Sequence, residues 1–171
     1  HAMAQNNECK KIEEYLGKYL KHSYLKNPIV YCGNFALNTV LVYYVQEAEN
    51  ADIKINIDIA LPNEISIKDA DLTVLFGNLI ENAIDACENV QKDKRSIELK
   101  IHRPNAGSIV FSIDNTFDGN IKMSGNKFLS TKQNGSGIGI ESAKYVVEKY
   151  NGDMKIEIND NKFCVSGVLL Q

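Results

Sequence analysis

Tryptophan is absent from the 171 residues, proline occurs only 3 times, and none of the 4 cysteines pairs with another as Cys-x-x-Cys. So little proline beside 11 glycines excludes a collagen-like or low-complexity chain, and 44% hydrophobic content excludes disorder. Cys9, Cys32, Cys87 and Cys164 are scattered and read as reduced, buried, small apolar residues. His1, His22 and His102 lie near no cysteine or carboxylate at ligand spacing, so no structural zinc site is expected. No run of eighteen apolar residues and no signal peptide is present. A basic excess is missing too: 19 Lys and Arg face 22 Asp and Glu, for a net charge of −3. No nucleic-acid partner is therefore expected. The His-Ala-Met start reads as a cloning remnant, and the chain as a soluble, cytoplasmic domain of ordinary size.

What is present is a chain of clear periods. Residues 8–25 place Ile12, Tyr15, Leu16, Tyr19 and Leu20 at helical spacing, up to a break at Asn27-Pro28. A second helix is predicted over 35–50, capped by Asn34. The period then drops to two, with Ile53, Ile55, Ile57 and Ile59 forming a half-buried strand that stops at Leu61-Pro62. The longest helical signal runs from about Asp69 to Val90, with Asp69 or Ser66 as its cap. Strands at 96–102 and 108–114 flank a turn containing Pro104 and Gly107. Residues 116–136 show little periodicity, and so long a loop inside a compact domain is usually functional. A helix at 138–150 and strands at 153–158 and 163–170 complete the order. Hairpins mixed with helices predict an α+β fold, a two-layer α/β sandwich with helices on one face of a mixed sheet. Strands and helices do not alternate regularly enough for a dinucleotide-binding fold.

Three constellations could carry chemistry. On the long helix, about 100° per residue places Asn82 about 40° and Asp85 about −20° from Asn78. Apolar residues fill most of the remaining circumference, which marks a buried helix whose polar stripe needs partners. Those amides either tie a neighbouring loop or offer neutral oxygens to a hard cation among phosphates. Next, Gly135, Gly137 and Gly139 alternate into a helix start, with Lys132 just before them. Such glycines either make turns or let backbone N–H groups approach an anion closely. This is neither a Walker A loop nor a GxGxxG fingerprint. Last, Asp114, Asn115 and Thr116 end a buried strand; they either turn the chain or accept hydrogen bonds from an amine in a cleft.

Together and in this order, these residues resemble the GHKL superfamily of ATP-binding domains, which includes gyrase, heat-shock chaperones, histidine kinases and MutL. The segment from Gly77 to Ala86 resembles its N-box, the segment from Gly135 to Ile140 its second glycine box, and Asp114-Asn115-Thr116 stands where the first glycine box is found. The resemblance is nearest to the catalytic domains of AgrC-like, pheromone-sensing histidine kinases, and it covers about residues 33–171. It implies a Bergerat-type sandwich that binds ATP and Mg²⁺. Asn82 would coordinate Mg²⁺, Asn78 and Asp85 would line the phosphate wall, and Asp114 or Asn115 would accept from the adenine amine. Gly135, Gly137 and Gly139 would meet the phosphates, with Lys132 as a charge partner in a lid over 117–134.

The resemblance further implies a division into a remnant plus the tail of a dimerisation region (residues 1–30) and a catalytic domain (31–171). Asn78 stands where gyrase-like members carry a general-base Glu, which argues against ATP hydrolysis as the main task. His22 lacks the acidic neighbour of a phosphoacceptor, so the acceptor His is expected on a helix upstream. The implied partners are the histidine-bearing dimerisation helices of the same protein and a response regulator, the parent being a membrane-bound homodimer. Two other readings are a GHKL serine kinase of the anti-sigma type and a degenerate, non-catalytic interaction module.

Overall fold

A computed structural model describes residues 29–120, 123–124, 127–128 and 138–170. Helix α1 (Phe35–Asn50) begins where the Asn34 carboxamide accepts from Leu37 N at 2.9 Å, and it buries Leu37, Leu41, Val45 and Ala48. The spacing of these four residues is one face of a helix. The chain turns through Asp52 (φ 57°) into strand β1 (Lys54–Ala60), where half-buried isoleucines alternate with exposed residues. Helix α2 (Asp69–Glu88) follows.

Neither Asp69 nor Ser66 caps α2. Lys68 occupies the cap position and makes no side-chain capping bond. Its backbone N–H instead donates to Oη of Tyr150 at 3.0 Å, while Asp69 accepts from Asn34 Nδ2 at 3.2 Å. Asp69 and Asp71 thus lie inside the first turn, where negative charge suits the helix dipole.

Beyond a short 3₁₀ turn (Lys92–Lys94), β2 (Ser96–Asn105) and β3 (Ser108–Thr116) form a hairpin longer than the predicted pair. Its register shifts between His102 and Asn105, across Pro104, whose ring nitrogen cannot donate to a ladder. Within the loop expected to be irregular, β4 (Met123–Ser124) pairs with β5 (Lys127–Phe128). Helix α3 (Ile138–Lys149) and strands β6 (Asp153–Asn159) and β7 (Lys162–Leu170) complete the described chain. The predicted helix at 8–25 and His22 lie outside the described residues.

The main sheet has the order β1-β2-β3-β7-β6, with β1 parallel to β2 and every other pair antiparallel. The crossover from β1 to β2 carries α2, as a parallel connection requires. In the helical layer α2 packs on β3 between its neighbours, with α1 over β1 and α3 over β6 and β7. The core lies between the two layers. There Phe76 of α2 meets Phe111 of β3 edge-to-face, with centroids 5.6 Å apart. The Phe111 ring lies over Gly167 of β7, where a Cβ would come within 2.5 Å of it. A side chain at 167 would therefore push the central aromatic pair into α2.

Two polar devices fix the helical layer. Arg95 donates to three carbonyls: Ala51 (2.6 Å), Glu88 (2.7 Å) and Val90 (2.9 Å). It thereby caps the C-terminal carbonyls of α2 and holds the turn after α1 beside them. At the other end, Lys149 pairs with both oxygens of Asp71 (2.7 and 2.9 Å), and Tyr150 Oη donates to Asp71 at 2.6 Å. The start of α2 is thus tied to the end of α3, and the two helices run antiparallel.

These devices make two predictions. Arg95→Ala leaves three carbonyls without their donor and should cost about 2–4 kcal/mol in a urea melt. A loss within error of zero would mean that water replaces the guanidinium freely. Asp71 is held below the usual carboxylate range, first by the Lys149 hydrogen bond and next by that of Tyr150. A depressed folded-state value means that this stability is present above the unfolded pKa of about 4 and lost as the pH falls through the folded value. The difference in melting temperature between the wild type and Asp71→Asn should therefore be full at pH 7 and shrink steadily below about pH 4. A difference constant from pH 7 to pH 2.5 would overturn this account.

Candidate functional site

The polar stripe on α2 is real in three dimensions. Asn78, Asn82 and Asp85 are half-buried, while Leu75, Phe76, Leu79, Ile80, Ala83, Ile84 and Cys87 around them are buried. Asn78 donates its Nδ2 to the Val74 carbonyl one turn back at 2.7 Å, which leaves Oδ1 as the outward, accepting end. Nδ2 of Asn82 is buried and has no hydrogen-bond partner among the described residues. A buried amide without a partner costs about 1–3 kcal/mol, so a helix that keeps one is answering to something other than stability.

Gly139, in the first turn of α3, lies directly against these two amides. A Cβ there would sit 2.9 Å from Asn82 Nδ2 and 3.3 Å from Oδ1 of both Asn78 and Asn82. Glycine lets the helix start come this close without displacing the Asn82 carboxamide. The antiparallel docking of α3 produces the approach: with its end pinned at Asp71, its beginning reaches Asn78 and Asn82. The unpaired N–H groups of a helix start carry partial positive charge and suit an anion. Two neutral amide oxygens beside them suit a hard cation bridging to that anion. The residues present therefore fit a magnesium–phosphate group, on the orphaned Asn82 amide and on the space that a Cβ at 139 would fill.

The strand end separates two residues that its sequence left tied. Along β3, Ile109, Phe111, Ile113 and Asn115 are buried toward the helices, and Asn115 is only 3% exposed. Asp114 falls on the opposite face, opposite Glu98 of β2 and Cys164 of β7. There Cys164 is pushed up, first by burial and then by its hydrogen bond to Asp114. Asn115 donates its Nδ2 to the Thr116 carbonyl at 2.9 Å. Cys87, five residues beyond Asn82, brings its Sγ within 3.3 Å of that same carbonyl, so the end of β3 meets the last turns of α2. Lys132, Gly135 and Gly137 lie outside the described residues.

Sequence reasoning treated Cys87 as a small apolar filler; it is buried, but it also joins α2 to Thr116 and to the Ser96 carbonyl. No local signal marks that contact. Cys32 and Cys164, expected to be buried, are half-buried. That Asp114 and Asn115 lie on opposite faces of β3, in contrast, follows from strand alternation counted on from Ile113.

No curated protein sequence matches the chain. Several solved structures share its fold. The catalytic domain of histidine kinase ThkA, in a nucleotide-free form, matches with a TM-score of 0.62 at 18% identity, over 79% of this chain and 90% of that one. The mycobacterial sensor histidine kinase MprB matches at 0.58 and 14%, over 79% of this chain and 93% of that one. Full-length ShkA in complex with AMPPNP matches at 0.59 and 16%, over 78% of this chain and 28% of that one. A sequence-family match, described as GHKL domain, runs over residues 67–171. That span takes in α2, the end of β3 and the start of α3, and so the chain belongs to the GHKL family as an ATP-binding domain folded like histidine kinase catalytic domains.

Proposed function

We propose that this domain holds Mg-ATP for phosphoryl transfer to a histidine on a separate helix, as the catalytic domain of a sensor histidine kinase of the AgrC-like type. The observation that carries this reading is the approach of Gly139 to Asn78 and Asn82, with the Asn82 amide buried and without a partner among the described residues. Bound magnesium supplies charge neutralisation between phosphates, and transfer of this kind rests on positioning and charge more than on covalent chemistry. Asn82 would hold the metal through its carboxamide oxygen, Asn78 would present Oδ1 beside it, and Asp85 would continue the wall. Gly139, with Gly135, Gly137 and Lys132, would meet the phosphates. Asn115, which faces the helical layer, is the better acceptor for the adenine amine, and Asp114 is left to the open face of the sheet. An amide in place of a carboxylate at Asn78 gives no general base to activate water, which favours transfer over hydrolysis.

The catalytic unit is taken as residues 31–171, and residues 1–30 as a remnant plus the tail of a dimerisation region. Asn38 supports that boundary by accepting from the backbone of Tyr31 (2.8 Å) and Cys32 (3.4 Å), which ties the chain to α1 from there on. The acceptor helices would belong to the same parent protein, a membrane-bound homodimer, and a response regulator would take the phosphoryl group next. None of the described helices is itself long and apolar enough to cross a membrane.

Calorimetric titration with ADP should show binding that tightens with Mg²⁺, and Asn82→Ala should remove the magnesium-dependent gain, about tenfold or ~1.4 kcal/mol. A folded sample that ignores millimolar nucleotide would sink the reading. Gly139→Val should weaken nucleotide by at least about tenfold, since its side chain enters the space between the helix start and the two amides. Supplied with the parent's histidine-bearing helices and ATP, the domain should form an acid-labile phosphoryl adduct. An acid-stable adduct would point instead to a serine kinase.

A further inference from the structure

The outer face of α1 is apolar where it meets solvent. Phe35, Thr39, Val42, Tyr43 and Gln46 are all exposed, and on a helical wheel they fall within about 100°. Phe35 is 84% exposed and Tyr43 59%. Ile29 and Val30 are exposed just before them, so half of the exposed large apolar residues among the described ones lie between 29 and 43. Scattered apolar side chains are ordinary on a surface; a contiguous stripe marks a contact. This stripe is also firmly backed. Tyr43 meets Tyr44 edge-to-face with centroids 5.0 Å apart, and a Cβ at Gly77 of α2 would lie 3.7 Å from the Tyr44 ring.

One segment of the same chain fits the stripe. Residues 8–25 place Ile12, Tyr15, Leu16, Tyr19 and Leu20 within about 140° of a helical wheel. As a helix this segment would be about 27 Å long, against about 24 Å for α1. Gly17 lies in its middle, and a helix of this size with an internal glycine holds in water only when its apolar face is covered.

The connection sets the direction. Tyr31 and Cys32 are held to Asn38 in the first turn of α1, which leaves residues 26–30 to join the segment to that point. Connections of this length join adjacent antiparallel helices. Laid antiparallel, Leu16 comes opposite Val42 and Tyr19 opposite Thr39, and Lys10 and Lys11 reach the end of α1. That end exposes Glu47 and Glu49 and has no basic residue in its last turn. Both its carboxylates and its helix C-terminus suit two lysines.

We propose that residues 8–25 fold back as a helix on the outer face of α1 in the same molecule, burying the stripe from Phe35 to Gln46 and setting Lys10 and Lys11 against Glu47 and Glu49. This docking is independent of the nucleotide reading. The helical layer gains a fourth helix. The chain before residue 8 then leaves the domain at the Glu49 end of α1, beside the turn that Arg95 holds.

Carbodiimide coupling, which joins a lysine amine to a carboxylate in contact with it, tests the docking in an equimolar mixture of 14N- and 15N-labelled protein. Mass spectrometry should find Lys10 or Lys11 joined to Glu47 or Glu49 within one isotope population, alongside the Lys92–Asp52 pair that stands 2.6 Å apart. Products of mixed isotope would mean that a second copy supplies the segment, and would overturn the proposal. So would coupling of Lys92 to Asp52 with none at Lys10 or Lys11. Trypsin should cut after Lys18 at least about tenfold faster in Val42→Asp than in the wild type, since cleavage follows the undocked fraction. Reversing Glu47 and Glu49 to Lys should speed the cut about threefold, and adding Lys10→Glu and Lys11→Glu should slow it again. Equal cutting in every variant would overturn the docking, and a charge swap without rescue would overturn the antiparallel register. Should Val42→Asp fail to fold, the charge swap and the isotope-resolved coupling still decide.

Discussion

The antiparallel docking of α3 on α2 is the constraint on which the rest depends. One end is pinned by Asp71, Lys149 and Tyr150, and the other is left with no side chain at Gly139. Pinning the far end fixes how far along α2 the start of α3 reaches, and the missing Cβ fixes how close it comes. Both are needed to bring backbone N–H groups beside two amides. The tight end serves stability, and the bare end is where the domain gives stability up: an amide on a buried helix, without a partner among the described residues, is a local violation of the rules that build the rest of the core.

Much of this was legible residue by residue. The boundaries of α1 followed from Asn34 and the apolar spacing, and those of β1 from alternate isoleucines, because caps and periods act over a few residues. What was not legible acts over distance. The start of α2 carries plausible caps in Ser66 and Asp69, yet the group that meets its backbone is Tyr150, eighty-two residues on. The hairpin of β2 and β3 outran its prediction because a register shift absorbs Pro104.

The site divides in the same way. The stripe of Asn78, Asn82 and Asp85 could be laid out on a helical wheel from the sequence alone. That Gly139 would lie against it could not, since helix docking is set by the packing of the whole layer; only the GHKL resemblance joined the two. Asn115 is an intermediate case. Its side of the strand was computable from Ile113, but the bond that orients its amide involves a backbone carbonyl and a thiol from another helix.

Helix α1 lies outside the span of the family match but not outside its mechanics. Its start is joined to the start of α2 through Asn34 and Asp69, and the turn at its end is joined to the end of α2 through Arg95. The two helices are parallel spars lashed at both ends, with β1 as the diagonal between them. Asn38, on the first turns of α1, grips the entering chain at Tyr31. The asparagine-bearing helix is therefore tied at both ends to the helix through which the chain enters the domain.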